Sequence, residues 1–206
     1  MPQALPSCGA PVLLPRWEWR TFAPALDCAR MLQDMGTRLG SSDNREISLI
    51  SLTSSHDVTI RDRRMALKWR KQSGQDGLEL WDVVLDSAFP CAQDTVRRLF
   101  EAWDIPLPIL HRPYYTIHAL LLEVIQTHPN LRVVEIEKHA ESFSVQGARC
   151  EWTRLLANHV PCECLSIEHE DPCITLQVMR SLGLEARPHA SYPTGLKTAL
   201  HLNTQH

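Results

Sequence analysis

The chain has 206 residues, 44% of them hydrophobic and 22% charged, and a formal net charge of -3 at pH 7. That length and composition fit one sizeable globular domain with a buried core. The acidic balance excludes a protein that wraps nucleic acid, so any polyanion has to meet a local basic patch.

Met1 to Pro15 is proline-rich without a basic leading region. It reads as a flexible arm rather than a signal peptide, and the domain is expected over residues 16–200, with 201–206 as a tail. Arg16–Phe22 alternates, with Arg16, Glu18 and Arg20 on one side and Trp17, Trp19 and Thr21 on the other, the period of a strand. Pro24–Leu39 spaces apolar residues by three and four and closes on Gly40, which predicts an amphipathic helix. Arg45–Leu52 reads as a strand. Val58–Arg61 and Met65–Lys71 flank a short polar turn at Asp62-Arg63-Arg64, and Leu78–Asp86 follows a second turn signal.

Cys91–Trp103 predicts a helix with Val96, Leu99, Phe100 and Trp103 on its apolar face, ended by Pro106 and Pro108. Tyr115–Gln126 fits either a helix or a strand. Leu131–Lys138, Phe143–Val145, Ala148–Leu155 and Cys162–Glu170 read as strands. Asp171-Pro172 starts a helix that runs to about Leu182, with Asp171 as N-cap and the proline in the first turn. Strands, helix, strands, helix with hairpin-like links give an α+β fold on a largely antiparallel sheet.

Seven cysteines, odd in number and irregular in spacing, fit neither a disulfide framework nor a zinc ribbon. They read as the reduced thiols of a cytoplasmic protein. No apolar run approaches the roughly 18 residues that span a membrane. The histidines are scattered and form no zinc-protease motif, and no phosphate-binding glycine loop occurs.

Four strand faces carry charge: Arg16/Glu18/Arg20, Thr59/Arg61, Ala66/Lys68/Arg70 and Ser166/Glu168/Glu170. Any one of them is what a solvated strand face looks like. Together they supply two kinds of group. Arg20, Arg61, Lys68 and Arg70 can donate charge-assisted hydrogen bonds to phosphate oxygens. Glu18, Glu168 and Glu170 are hard oxygen ligands for Mg²⁺ or Mn²⁺. A polyphosphate calls for both.

In order along the chain these segments resemble the CYTH superfamily, the triphosphate tunnel metalloenzymes, which include class IV adenylate cyclases, thiamine triphosphatases and inorganic triphosphatases. The opening E-x-E-x-K motif is similar to Arg16-Trp17-Glu18-Trp19-Arg20, with Arg16 where the first Glu belongs. The basic strands are similar to Thr59-Ile60-Arg61 and Leu67-Lys68-Trp69-Arg70. A later K-x-R resembles Lys138-His139-Ala140. The closing E-x-E matches Glu168-His169-Glu170, and Ser191-Tyr192-Pro193-Thr194-Gly195-Leu196-Lys197 is similar to the family's S-Y-x-x-L tail.

The resemblance covers about Arg16 to Lys197. It implies an eight-stranded antiparallel β tunnel wrapped by helices and a metal-dependent phosphohydrolase acting on a triphosphate or polyphosphate. Glu18, Glu168 and Glu170 would be catalytic, and Glu18, Glu151, Glu168 and Glu170 would hold Mg²⁺ or Mn²⁺, with Thr153-Arg154 as the alternative match to Glu151. Arg16, Arg20, Arg61, Lys68, Arg70 and Lys138 would grip the phosphate chain. Arg16 attracts phosphate where a metal ligand is expected, so the second expectation is a catalytically degenerate polyanion-binding module. The third is an interaction domain with a solvated charged face. Tyr192 reads as a packing residue near the tunnel mouth. A homodimer is compatible with all three readings, and neither nucleic acid nor membrane is an expected partner.

Overall fold

The computed structural model describes residues 15–202. The expected arm and tail fall, except for Pro15, His201 and Leu202, outside the described residues. In chain order the elements are β1 (Arg16–Ala23), α1 (Ala29–Met35), β2 (Thr37–Ser51), β3 (Asp57–Arg61), β4 (Arg64–Ser73), β5 (Glu79–Ala88), β6 (Cys91–Ala92), α2 (Gln93–Trp103), β7 (Tyr114–Tyr115), α3 (Ile117–Leu120), β8 (Leu131–Val145), β9 (Ala148–Ala157), β10 (Val160–His169), α4 (Pro172–Ser181) and α5 (Tyr192–Ala199). Eight strands close into a barrel in the order β1-β10-β9-β8-β2-β3-β4-β5, antiparallel at every step, and β6 pairs with β7 outside it. This is the α+β tunnel that the sequence predicts.

A strand alternates its side chains, so each wall of the barrel has two chemistries. The outward faces are apolar where helices cover them. Val58 and Ile60 of β3 and Met65 and Leu67 of β4 pack under Val96, Leu99, Phe100 and Trp103 of α2. Trp19 of β1, Leu165 and Ile167 of β10 and Phe143 of β8 pack under Leu32 of α1 and Val178 and Met179 of α4. A third cluster fills one end of the interior: Ile50, Val134, Ile136, Leu155, Cys162 and Cys164 meet Tyr192 and Leu196 of α5. Among the described residues the cysteines are free thiols, all buried except Cys173. No described helix is long and apolar enough to cross a membrane.

The polar turn at Asp62-Arg63 is as tight as expected. Both residues take positive φ (49° and 59°), the backbone of a two-residue hairpin turn. That turn fixes the register that sets Asp57 opposite Lys68 and Thr59 opposite Ala66.

Two expectations are corrected. The helix expected over Pro24–Leu39 spans only Ala29–Met35, because Gly36 turns the chain into β2. A Cβ on Gly36 would come within 2.9 Å of Leu32 O and Val145 Cγ2, so the chain reverses there and not at Gly40. Leu39 then lies on β2 and is 59% exposed. The two strands expected at Leu131–Lys138 and Phe143–Val145 are one, β8, since His139 to Ser142 keep pairing with β2 and β9. Trp69 lies past the Asp57–Lys68 pair, where β3 stops covering β4, so it is 44% exposed, with its ring 4.9 Å from that of His56. The closing Ser-Tyr-Pro-Thr-Gly segment forms helix α5, with Pro193 in its first turn. Of the ambiguous Tyr115–Gln126 segment, Tyr115 ends β7 and residues 117–125 are helical.

Candidate functional site

The inward faces of the strands meet in a cavity of about 440 Å³. Six bases line it: Arg20, Arg61, Arg64, Lys68, Lys138 and Arg149. Six acids do too: Glu46, Asp57, Asp62, Asp86, Glu151 and Glu168. Arg61, Asp62 and Arg64 are exposed and form its mouth. Tyr192, expected near the mouth, instead closes the opposite end with the apolar cluster beneath it, so the tunnel is blind.

The closed end is tightly bonded. The Tyr192 hydroxyl donates to Glu46 Oε1 at 2.7 Å. Lys138 Nζ stands 3.6 Å from the same carboxylate. The Tyr192 ring carries the Arg20 guanidinium at 5.1 Å and the Lys138 amine at 5.8 Å from its centroid. Burial, then the Glu46 carboxylate, push the Tyr192 hydroxyl well above its ordinary range, so it stays a donor.

At mid-tunnel, Arg20 Nε donates to Glu18 Oε1 at 2.6 Å, and Arg20 NH1 donates to Cys164 Sγ at 3.1 Å. Glu18 stands directly opposite Glu168 across β1 and β10. Burial raises the Glu18 carboxyl, but the Arg20 guanidinium and the Lys68 amine override it and hold Glu18 well below the carboxylate range. Burial and the facing Glu18 push Glu168 the other way, up. The two facing carboxylates are therefore pushed apart in proton affinity, Glu18 down and Glu168 up. Burial lowers Lys68, but Asp57, Glu18 and Glu168 around it outweigh that and raise it, so Lys68 is charged. Among the described residues Lys68 makes no ion pair and no side-chain hydrogen bond, unlike the cavity's other bases.

Of the residues that the sequence singles out, Arg20, Arg61, Lys68, Lys138, Glu151 and Glu168 come together as cavity lining. Glu18 sits in the wall behind Arg20. Arg16 and Glu170 do not reach the cavity: they pair with each other at 3.6 Å, both about half exposed, at the end of β1 and β10. Arg70 also turns away, to Glu79 Oε1 at 2.7 Å. Thr153 is buried on the same face as Glu151 and carries no charge, and Arg154 lies on the outer face over the Trp152 ring, so Glu151 is the inward acid of β9. Sequence reasoning missed Glu46, Asp57, Asp62, Arg64, Asp86 and Arg149 as lining. The alternation of Glu46 and Ser48 with Ile47 and Leu49 on β2 is the one signal that exposes an inward acid.

The resemblance implies Mg²⁺ or Mn²⁺. Glu170 is outside the cavity, Glu151 is bonded to Arg149 at 3.0 Å and Glu18 to Arg20 at 2.6 Å, which leaves Glu168 as the free carboxylate of that set on the cavity. Among the described residues no three His, Cys, Asp or Glu side chains converge as a cage. Mg²⁺ is commonly held by one or two carboxylates and completed by phosphate oxygens and water. Glu168, which lines the cavity and makes no ion pair among the described residues, is such a donor, with Glu18 facing it across the strand pair. The residues fit a cation that arrives with phosphate rather than a resident one.

No family model matches the chain, and no curated protein does. Among solved structures, the PH1012 protein of Pyrococcus horikoshii aligns at 14% identity over 84% of this chain and 94% of its own, with a TM-score of 0.48. The HpAC1 protein of Hippeastrum, described as a candidate adenylyl cyclase with a dominant triphosphatase activity, aligns at 10% identity over 85% of this chain and 90% of its own, with a TM-score of 0.46. A candidate adenylate cyclase of Bacillus halodurans aligns at 12% identity over 85% and 93%, with a TM-score of 0.43. The architecture itself, a closed antiparallel barrel of eight strands around a charged interior, is the tunnel that the resemblance to the CYTH superfamily implies.

Proposed function

We propose that the tunnel binds a triphosphate or short polyphosphate together with Mg²⁺ or Mn²⁺ and hydrolyses its terminal phosphoryl group. One observation carries the reading: the blind cavity holds equal numbers of bases and acids, and its unpaired cation, Lys68, stands among carboxylates at the centre. A neutral charge balance does not hold a bare polyanion, but it suits a polyanion that brings a divalent cation. Lys68 and Arg61, from the neighbouring strands β4 and β3, bind successive non-bridging phosphate oxygens along the tunnel, and Arg20 and Lys138 meet the chain's inner end. Glu168 would hold the metal, joined by the facing Glu18 once Arg20 turns from Glu18 to the phosphate; when bound, the metal neutralises phosphate charge and orients the attacking water. The mouth at Arg61 and Arg64 admits the chain end-on.

A second reading, a non-catalytic polyanion-binding module, is favoured by the Arg16–Glu170 pair, which removes two of the residues that the resemblance assigns to the site. Phosphate release from tripolyphosphate separates them. The phosphohydrolase releases orthophosphate with Mg²⁺ or Mn²⁺ and stops with a chelator. Tripolyphosphate that raises the melting temperature without metal, with no phosphate released under any metal, establishes the binding module instead.

A further inference from the structure

Most cavity acids are already engaged. Glu46 accepts from Tyr192 at 2.7 Å, Glu151 pairs with Arg149 at 3.0 Å, Asp86 with Arg64 at 3.0 Å and Asp62 with Arg61 at 3.7 Å. Glu168 faces Glu18. Asp57 is different. It lines the cavity, is only 8% exposed, has no ion pair, and leaves Oδ1 buried without a hydrogen-bond partner. An orphaned carboxylate oxygen in a barrel wall is costly, and such groups in native proteins call for an explanation.

Its position supplies one. Asp57 is the direct register partner of Lys68, about 5 Å away backbone to backbone in an antiparallel pair. Lys68 is the amine assigned above to the phosphoryl group. On the same inward side, Ser48 is opposite Thr59 and leaves its hydroxyl buried and without a partner. An acceptor and a hydroxyl lacking partners, beside a phosphate-holding cation, make a water site. We propose that Asp57 is the general base of the hydrolysis, taking the proton from the water that attacks the terminal phosphorus.

This rests on the phosphohydrolase reading. The water oxygen forms a bond to the terminal phosphorus, and the bond from that phosphorus to the bridging oxygen breaks with its electron pair left on the departing pyrophosphate. One water proton goes to the Asp57 carboxylate, and orthophosphate leaves. The charged groups that face Asp57 are Lys68 on β4, Glu46 on β2, and Arg20 and Glu18 on β1. Burial raises the Asp57 carboxyl against the pull of Lys68, which makes it a stronger base than a free aspartate.

The test uses the full chain with tripolyphosphate and Mn²⁺. Asp57→Asn keeps the shape, so it is expected to fold, to keep the tripolyphosphate-induced rise in melting temperature and a KM at or below wild type, and to lower kcat by about 10²–10⁴. The acid limb of its kcat–pH profile is expected to flatten, and Asp57→Glu to restore part of the rate. A kcat within about threefold of wild type, or an unchanged acid limb, overturns the assignment, because a mere counter-ion of Lys68 would shift binding and leave kcat in place. A wild-type chain that releases no phosphate overturns the phosphohydrolase reading, and the general base with it. A wild-type chain that turns over beside an equally active Asp57→Asn overturns only the base.

Discussion

Replacing Tyr192 by phenylalanine removes one hydroxyl from the closed end of the tunnel and little else. The ring still fills the barrel end with Leu196 and still sits under Arg20 and Lys138. What goes is a 2.7 Å hydrogen bond to a carboxylate, between residues only 8% and 7% exposed. A hydrogen bond to a charged group contributes about 1.5–3 kcal/mol, and its loss leaves Glu46 Oε1 buried and unpaired. We expect a loss of about 2 kcal/mol, which for a domain of this size is a drop of roughly 4–8 °C in melting temperature. Urea unfolding is expected to show a lower midpoint at an unchanged slope. A loss below about 0.5 kcal/mol, the scatter of ordinary surface changes, would refute the claim that α5 is bolted into the barrel through Glu46.

Two further changes probe the packing and the charge layout. Gly195→Ala would place a methyl in collision with the Phe22 ring. Overpacking costs about 1–3 kcal/mol, whereas alanine for glycine inside an unhindered helix gains about 1 kcal/mol, so a melting temperature that rises would contradict the docking of α5 on β1. Glu168→Gln tests the carboxylate pair. Glu168 has a folded-state pKa above its ordinary 4.5, so the folded chain binds the extra proton, and wild type loses stability as pH rises through that range. Without metal, the variant is expected to gain on wild type between pH 4 and pH 7 in urea unfolding, and equal differences at both pH values would argue against the pairing with Glu18.

Much of the barrel is legible because alternation survives where one face is apolar. Trp17 and Trp19 against Glu18 and Arg20, and Leu165 and Ile167 against Ser166 and Glu168, announce strands with a charged interior. The hairpin at Asp62-Arg63 announces its own register. The parts that stay hidden have physical reasons. Asp57 opens a five-residue strand right after Ser54-Ser55-His56, so locally it looks like loop. β8 carries polar residues on both faces at His139–Ser142, because its inner face meets the tunnel and its outer face meets water, and the pattern breaks without the strand breaking. α5 is only eight residues long, below the length that sustains a helix alone, and owes its form to Tyr192 and Leu196 docking in the barrel end. The site is less legible than the fold. Charge on a strand face says which side a residue takes, but not whether a neighbour such as Arg16 will claim Glu170 before any ligand can.

The central claim is that a phosphate chain binds inside the tunnel at Lys68 and Arg61. The direct measurement is the melting temperature of wild type, Lys68→Ala, Arg61→Ala and the outer-face control Arg45→Ala, each titrated with tripolyphosphate and Mg²⁺. Ligand at about 100 times its dissociation constant stabilises by about 2.7 kcal/mol, or roughly 5–10 °C here. Wild type and Arg45→Ala, whose side chain is 83% exposed and pairs with Glu137, are expected to show that rise, and Lys68→Ala and Arg61→Ala to lose it. A rise of the same size in all four proteins would contradict the tunnel as the binding site.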